Sequence, residues 1–103
     1  MKPFPACAPQ ERRAYRFTGH VQGIGFRRSL SRAAQHLKLT GWVRNMPDGS
    51  VEAEVQGPAA ALDRLPAALR IAGPWIPKPT IHWTALPLVP GEESFRIRYD
   101  TGL

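Results

Sequence analysis

Seven residues near the start of the chain, Val21-Gln22-Gly23-Ile24-Gly25-Phe26-Arg27, combine two features that suit an anion. Glycines let successive backbone N–H groups converge, and a concave run of amides at the start of a helix carries partial positive charge. Arg27, just inside the helix that follows, adds a planar fork able to grip two oxygens of one phosphate. A phosphate cradle is one reading of these residues. The other is an ordinary tight turn between strand and helix with a solvated Arg27, and residue types alone leave the two level. Two common phosphate loops are excluded: no Lys-Ser or Lys-Thr follows the glycines, as a Walker A loop requires, and the full spacing of the dinucleotide fingerprint is absent.

Other chemistries find little support. The three histidines, His20, His36 and His82, are dispersed, and no carboxylate cluster has ligand spacing, so no metal site is expected. His36 reads as a solvated helix residue, and His20 flanks the glycine loop. Cys7 is the one cysteine, which rules out an internal disulfide and a thiolate cage and fits a reducing cytoplasm. Asn45, by residue type and position, is a plain strand-end residue before a turn.

The elements that must position these residues follow from periodicity. Tyr15 and Phe17 alternate with Arg16 and Thr18, so Arg13 to Thr18 predicts a half-buried strand. Gly19 to Gly25 holds three glycines, after which Phe26, Leu30, Ala33 and Leu37 recur at helical spacing. Gly41-Trp42-Val43-Arg44-Asn45 predicts a second strand, Met46-Pro47-Asp48-Gly49 a turn, and Val51, Ala53 and Val55 a third strand that closes a hairpin. Pro58 suits the first turn of a second helix with a stripe of Leu62, Leu65 and Leu69, which Pro66 should kink or shorten. A proline-rich connection follows from Gly73 to Pro79. A fourth strand falls within Thr80 to Leu88 at a sheet edge, and Phe95, Ile97 and Tyr99 mark the inward face of a fifth. The order βαββαβ with a final strand predicts an α+β, ferredoxin-like sandwich: an antiparallel sheet with two helices on one face. Phe26 and Trp42 are assigned to its core.

Composition sets the bounds. A chain of 103 residues that is 43% hydrophobic has room for one core, expected over 12–103, with 1–11 as a flexible N-terminal arm. No apolar run is long enough to span a membrane and no signal peptide is evident, so a cytoplasmic location is expected. The formal charge of +6 admits nucleic acid, anionic lipid or a small anionic substrate. Nucleic acid is disfavoured, because Tyr15, Phe17, Phe95 and Tyr99 share faces with apolar residues and offer no stacking platform.

Phe17-Thr18-Gly19-His20-Val21-Gln22-Gly23-Ile24-Gly25-Phe26-Arg27, then Gly41-Trp42-Val43-Arg44-Asn45 and Asp48-Gly49-Ser50-Val51-Glu52, resemble acylphosphatases in order and spacing. With Gln56-Gly57-Pro58 and Phe95-Arg96-Ile97-Arg98-Tyr99, the resemblance covers Arg13 to Tyr99. It implies a ferredoxin-like sandwich and hydrolysis of acyl phosphates to a carboxylate and inorganic phosphate. By position it implies that the loop residues Gln22, Gly23, Ile24, Gly25 and Phe26 and the fork of Arg27 bind phosphate, and that Asn45 positions water. No cofactor or metal is implied, and the expected partners are a small acyl phosphate and its product phosphate, with the chain acting as a monomer. The alternatives are a noncatalytic module of the same family or a basic nucleic-acid-binding domain. Pro66 and the stretch Trp75-Ile76-Pro77-Lys78-Pro79 depart from the family's pattern, and so do His82 and Trp83.

Overall fold

The computed structural model describes residues 9–99. Strand β1 (Gln10–Thr18) is followed by helix α1 (Phe26–His36), then by the hairpin of β2 (Thr40–Asn45) and β3 (Val51–Pro58). Helices α2 (Ala59–Asp63) and α3 (Leu65–Ala72) come next, and β4 (Thr80–Leu86) and β5 (Phe95–Arg98) complete a five-stranded sheet of order β4-β1-β3-β2-β5. This is the ferredoxin-like α+β sandwich expected.

Alternation along the strands makes the core. Tyr15 and Phe17 stand opposite Ala53 and Val51 in the β1–β3 ladder, and Val43 and Val55 extend the same face. Phe26, Leu30, Ala33 and Ala34 of α1 and Leu62, Leu65 and Leu69 of α2 and α3 cover that face, all nearly removed from water. Each large side chain buried in this way contributes about 1.5–3 kcal/mol of transfer free energy.

Four points differ from the sequence-based expectation. First, β1 opens at Gln10, because Gln10 and Glu11 pair with Pro58 and Gly57. Residues 1–8 of the expected arm, Cys7 among them, lie outside the described residues. Second, the shortening expected from Pro66 goes as far as a break into two helices. Pro66 has no N–H to donate and its ring would crowd the carbonyl four residues back, so the chain stops at Asp63 and restarts with Pro66 in the first turn of α3.

Third, the sheet is antiparallel across β4-β1-β3-β2, but β5 lies parallel to β2. β4 finishes at the end of the sheet where β2 begins, and the connection from Pro87 to Ser94 crosses that end, so β5 must run beside β2 in the same direction. Two contacts pin the crossing: Arg12 donates to Glu92 (2.9 Å), and the Gln56 amide both accepts from and donates to the backbone of Val89 (2.8 and 3.0 Å). Fourth, Trp42 is not in the core but on the helix-free face, with the guanidinium groups of Arg44 and Arg98 over its ring at 5.0 and 4.9 Å.

Strands β1, β2 and β5 share one direction. Their C-terminal ends therefore bring the glycine loop, Asn45 and the end of β5 to the same edge of the sandwich.

Candidate active site

The loop from Gly19 to Gly25 turns β1 into α1 through left-handed backbone. Gly23 and Gly25 have φ of 78° and 81°, a region that costs any residue with a Cβ about 1 kcal/mol or more. Gly25 is the N-cap of α1, and no side chain caps the helix. The first hydrogen bond within the helix runs from the Ser29 N–H to the Gly25 carbonyl (3.0 Å), so the N–H groups of Phe26, Arg27 and Arg28 have no helical acceptor. No acid occupies the first turn. The positive end of the helix thus faces outward with its donors uncapped.

Gln22 ties the loop to the β2–β3 turn. Its Nε2 donates to the carbonyls of Met46 (2.8 Å) and Ser50 (2.9 Å). The turn is itself braced by Asp48, whose carboxylate accepts from the Ser50 N–H (2.9 Å), the Ser50 hydroxyl (2.6 Å) and Arg16 Nη2 (2.6 Å). The two bonds from Ser50 and the one from Arg16 hold its carboxyl down at about 2, below the usual range. Asn45, at the end of β2 just before that turn, is half-buried and lines one cleft with Gly23 and Gly25 of the glycine loop.

Arg27 reaches across to β5, where Nη1 donates to the Arg98 carbonyl (3.1 Å) and the guanidinium lies 4.8 Å from the ring centre of Tyr99. One donor is thereby used to aim the fork. Tyr99 lies past the end of β5 and is 75% exposed, so it does not face inward as Phe95 does.

Trp75 closes the other side. Its indole Nε1 donates to the Ile24 carbonyl (2.8 Å), and its ring passes within 3.8 Å of where a Cβ on Gly25 would stand. A carbonyl turned into a ring of N–H donors would repel an anion. The indole engages this one on the side of the loop where Trp75 stands.

A cleft of about 480 Å³ brings together Gly23, Gly25, Phe26, Arg27 and Asn45 with Trp75 and Tyr99 along its wall. Of the residues singled out from sequence, Gln22 and Ile24 are not among its lining: Gln22 acts on the turn, and Ile24 packs against the core. Trp75 and Tyr99 went unrecognised. Trp75 sits in a proline-rich connection with no period to read, and Tyr99 continues an alternation that ends one residue before it. The combination of uncapped amides, a guanidinium and a carboxamide can hold a tetrahedral anion and orient a water molecule against it.

The family model described as Acylphosphatase matches residues 13–97. The chain belongs to the acylphosphatase family. It is 56% identical over 59 residues to the acylphosphatase of Burkholderia vietnamiensis (strain G4 / LMG 22486), a stretch covering 57% of this chain and 60% of that one. The aligned stretch thus spans less than two thirds of that relative's length. Among solved structures, acylphosphatase from Bacillus subtilis superposes with a TM-score of 0.76 at 36% identity, over 86% of this chain and 99% of that one. An acylphosphatase from Coxiella burnetii superposes with a TM-score of 0.75 at 30% identity, over 86% and 93%.

Proposed function

We propose that the chain hydrolyses acyl phosphates to a carboxylate and inorganic phosphate, with Arg27 and Asn45 as catalytic residues. The observation that carries this reading is the meeting, in one cleft, of the uncapped start of α1, the Arg27 fork and Asn45.

In this reading the phosphoryl oxygens take the N–H groups of the glycine loop and first helical turn, together with the donors of Arg27 not spent on Arg98. The Asn45 carboxamide holds water in line with the bond to be broken. Water oxygen bonds to phosphorus, the bond from phosphorus to the acyl oxygen breaks, and the electron pair leaves with the carboxylate. The conjugate acid of that leaving group has a pKa of about 4, so no proton need be supplied at neutral pH. A loose transition state forms little bonding to the incoming water, and a phosphoryl oxygen can take the water's proton. Positioning and charge stabilisation then carry the catalysis, which suits a site without a histidine–carboxylate pair. Metal is not required by this scheme.

The test is hydrolysis of benzoyl phosphate by the purified chain in excess EDTA. Turnover is expected there, with alkyl phosphate monoesters far slower because their alkoxide leaving groups need a proton. Chelator-sensitive turnover, or equal rates on a monoester, would overturn the mechanism.

A further inference from the structure

We propose that the same cleft holds a second anion subsite, formed by Arg28 and Arg32, that favours acyl phosphates whose acyl group carries its own carboxylate or phosphate. The inference rests on the acyl phosphate reading and adds to it the class of acyl group.

Arg28 and Arg32 lie four residues apart on α1, about 6 Å along its axis on one face. Both line the cleft that contains Arg27. Each residue of a helix turns by about 100°, which separates the three cations. Arg27 occupies the flank beside β5, where it meets the Arg98 carbonyl and Tyr99. Arg32 falls close to the row of Gly25 and Ser29, whose neighbours are Trp75 and Gly73. Arg28 stands between them. The cations therefore extend from the Arg27 flank over the outer face of the helix towards Trp75.

Three observations separate this pair from ordinary solvated arginines. Both are exposed, and neither has an ion-pair or hydrogen-bond partner among the described residues. No Asp or Glu among the described residues lines the cleft, and α1 itself, Phe-Arg-Arg-Ser-Leu-Ser-Arg-Ala-Ala-Gln-His, contains none. Finally, Arg27 and Arg28 both sit in the first turn, where the helix dipole favours acids and disfavours cations. One arginine there is explained by the phosphoryl group. The other, Arg28, raises a local cost that no acid of α1 or of the cleft lining offsets among the described residues, and such departures from local preference concentrate at functional sites.

A phosphoryl dianion held by the loop and Arg27 leaves Arg28 and Arg32 without an anion if the acyl group is neutral. A second negative group at the far end of the acyl part meets them, with the flat Trp75 ring alongside. Two half-solvated ion pairs of about 0.5–0.7 kcal/mol each, within the usual range for exposed pairs, amount to roughly a fivefold to tenfold preference.

The test measures binding of two stable phosphonates by calorimetry, 4-carboxybenzylphosphonate and its neutral isostere 4-carbamoylbenzylphosphonate. Both share the phosphoryl mimic, so their affinity ratio reads the second charge, and the arginine variants show how much of that ratio belongs to Arg28 and Arg32. The wild type is expected to bind the carboxylate probe about fivefold to tenfold more tightly. Arg28→Gln/Arg32→Gln should bring the ratio within about twofold of unity, while Arg28→Lys/Arg32→Lys should retain most of it. Equal affinity for both probes in the wild type, or a preference that survives in the glutamine double variant, would overturn the proposal. Turnover of benzoyl phosphate by the wild type, measured alongside, reports on hydrolysis by itself. Absence of turnover with the carboxylate preference intact would remove the proposed reaction and leave the second subsite standing.

Discussion

The arginines of the sheet and those of the cleft obey opposite rules. On the helix-free face, Arg12 meets Glu54 and Glu92 at 2.8 and 2.9 Å, Arg16 meets Asp48 at 2.6 Å, and Arg44 lies 3.6 Å from Glu52. Even the buried Arg13, on the other face, reaches Glu11 and Asp63, both at 2.9 Å. Around the start of α1, Arg27, Arg28 and Arg32 meet no carboxylate among the described residues. A formal charge of +6 is therefore a poor guide to where anions go. Most of the sheet's cations are neutralised at home, whereas the three of the cleft stand where a helix also presents its positive end.

The strongest way to break this contrast is to remove the cation at the centre of the cleft. Arg27→Ala is expected to lower kcat/KM for benzoyl phosphate about a thousandfold, or about 4 kcal/mol, and to weaken inhibition by inorganic phosphate. Arg27→Lys should recover little, because a point charge does not reproduce a fork already aimed by the Arg98 carbonyl. Steady-state rates and phosphate inhibition constants decide it. An unchanged inhibition constant in the alanine variant would place the anion elsewhere.

Asn45→Ala should come next in size. It leaves the loop and Arg27 in place but frees the water, so kcat is expected to fall about a hundredfold while phosphate affinity changes by less than about threefold. Asn45→Asp should fail as well and bind phosphate more weakly than the alanine variant, since its charge faces an anion. Full turnover by Asn45→Ala would remove this residue from the mechanism.

Much of this arrangement was legible before the structure, for physical reasons. Tyr15, Phe17, Val51, Ala53 and Val55 alternate because one face of the sheet is buried, and a period of two survives in the sequence. Pro66 breaks a helix wherever it falls in the interior. The Gly23–Arg27 loop is local, so its chemistry is written in adjacent residues. What escaped depends on contacts far apart in the chain. The parallel placement of β5 follows from a crossover pinned by Arg12 to Glu92 and by Gln56 to Val89, and no local pattern encodes it. Trp75 serves the site through one bond to Ile24 from 51 residues away. Trp42 is apolar by type yet lies against two guanidinium groups, which its ring face attracts.

The sheet's paired charges sharpen the comparison from the other side. Arg12 is only 3% exposed; burial works against its charge, but hydrogen bonds to Glu92 and Glu54 outweigh that and hold the guanidinium above its ordinary value. Glu92→Gln should cost about 1 kcal/mol of stability, lowering Tm by about 5 °C in thermal unfolding, because a charged partner is replaced by a neutral one. The same variant should keep turnover within about twofold, since the pair lies at the opposite end of the strands from the cleft. A large loss of activity with unchanged Tm would show that the two regions are not separate.

The smallest effect is expected at Asp48, an acid that links the two regions, since it receives Arg16 from the sheet and braces the turn that carries Asn45. Its carboxyl titrates at about 2 in the folded chain against an ordinary 3.8. A folded value below the unfolded one means that the unfolded chain binds the proton more readily, so protonation favours unfolding. The contribution of Asp48 is therefore fully present above about pH 4 and lost as the pH falls from there towards 2. Asp48→Asn keeps an oxygen that can accept from Ser50 but gives up the attraction to Arg16. The variant is expected to be modestly less stable than the wild type at pH 6, with the gap in Tm closing between pH 4 and pH 2. Thermal unfolding of both proteins across that range checks it. A gap of constant size at every pH would mean that the shape of the turn, and not the charge of Asp48, holds Asn45 beside the loop.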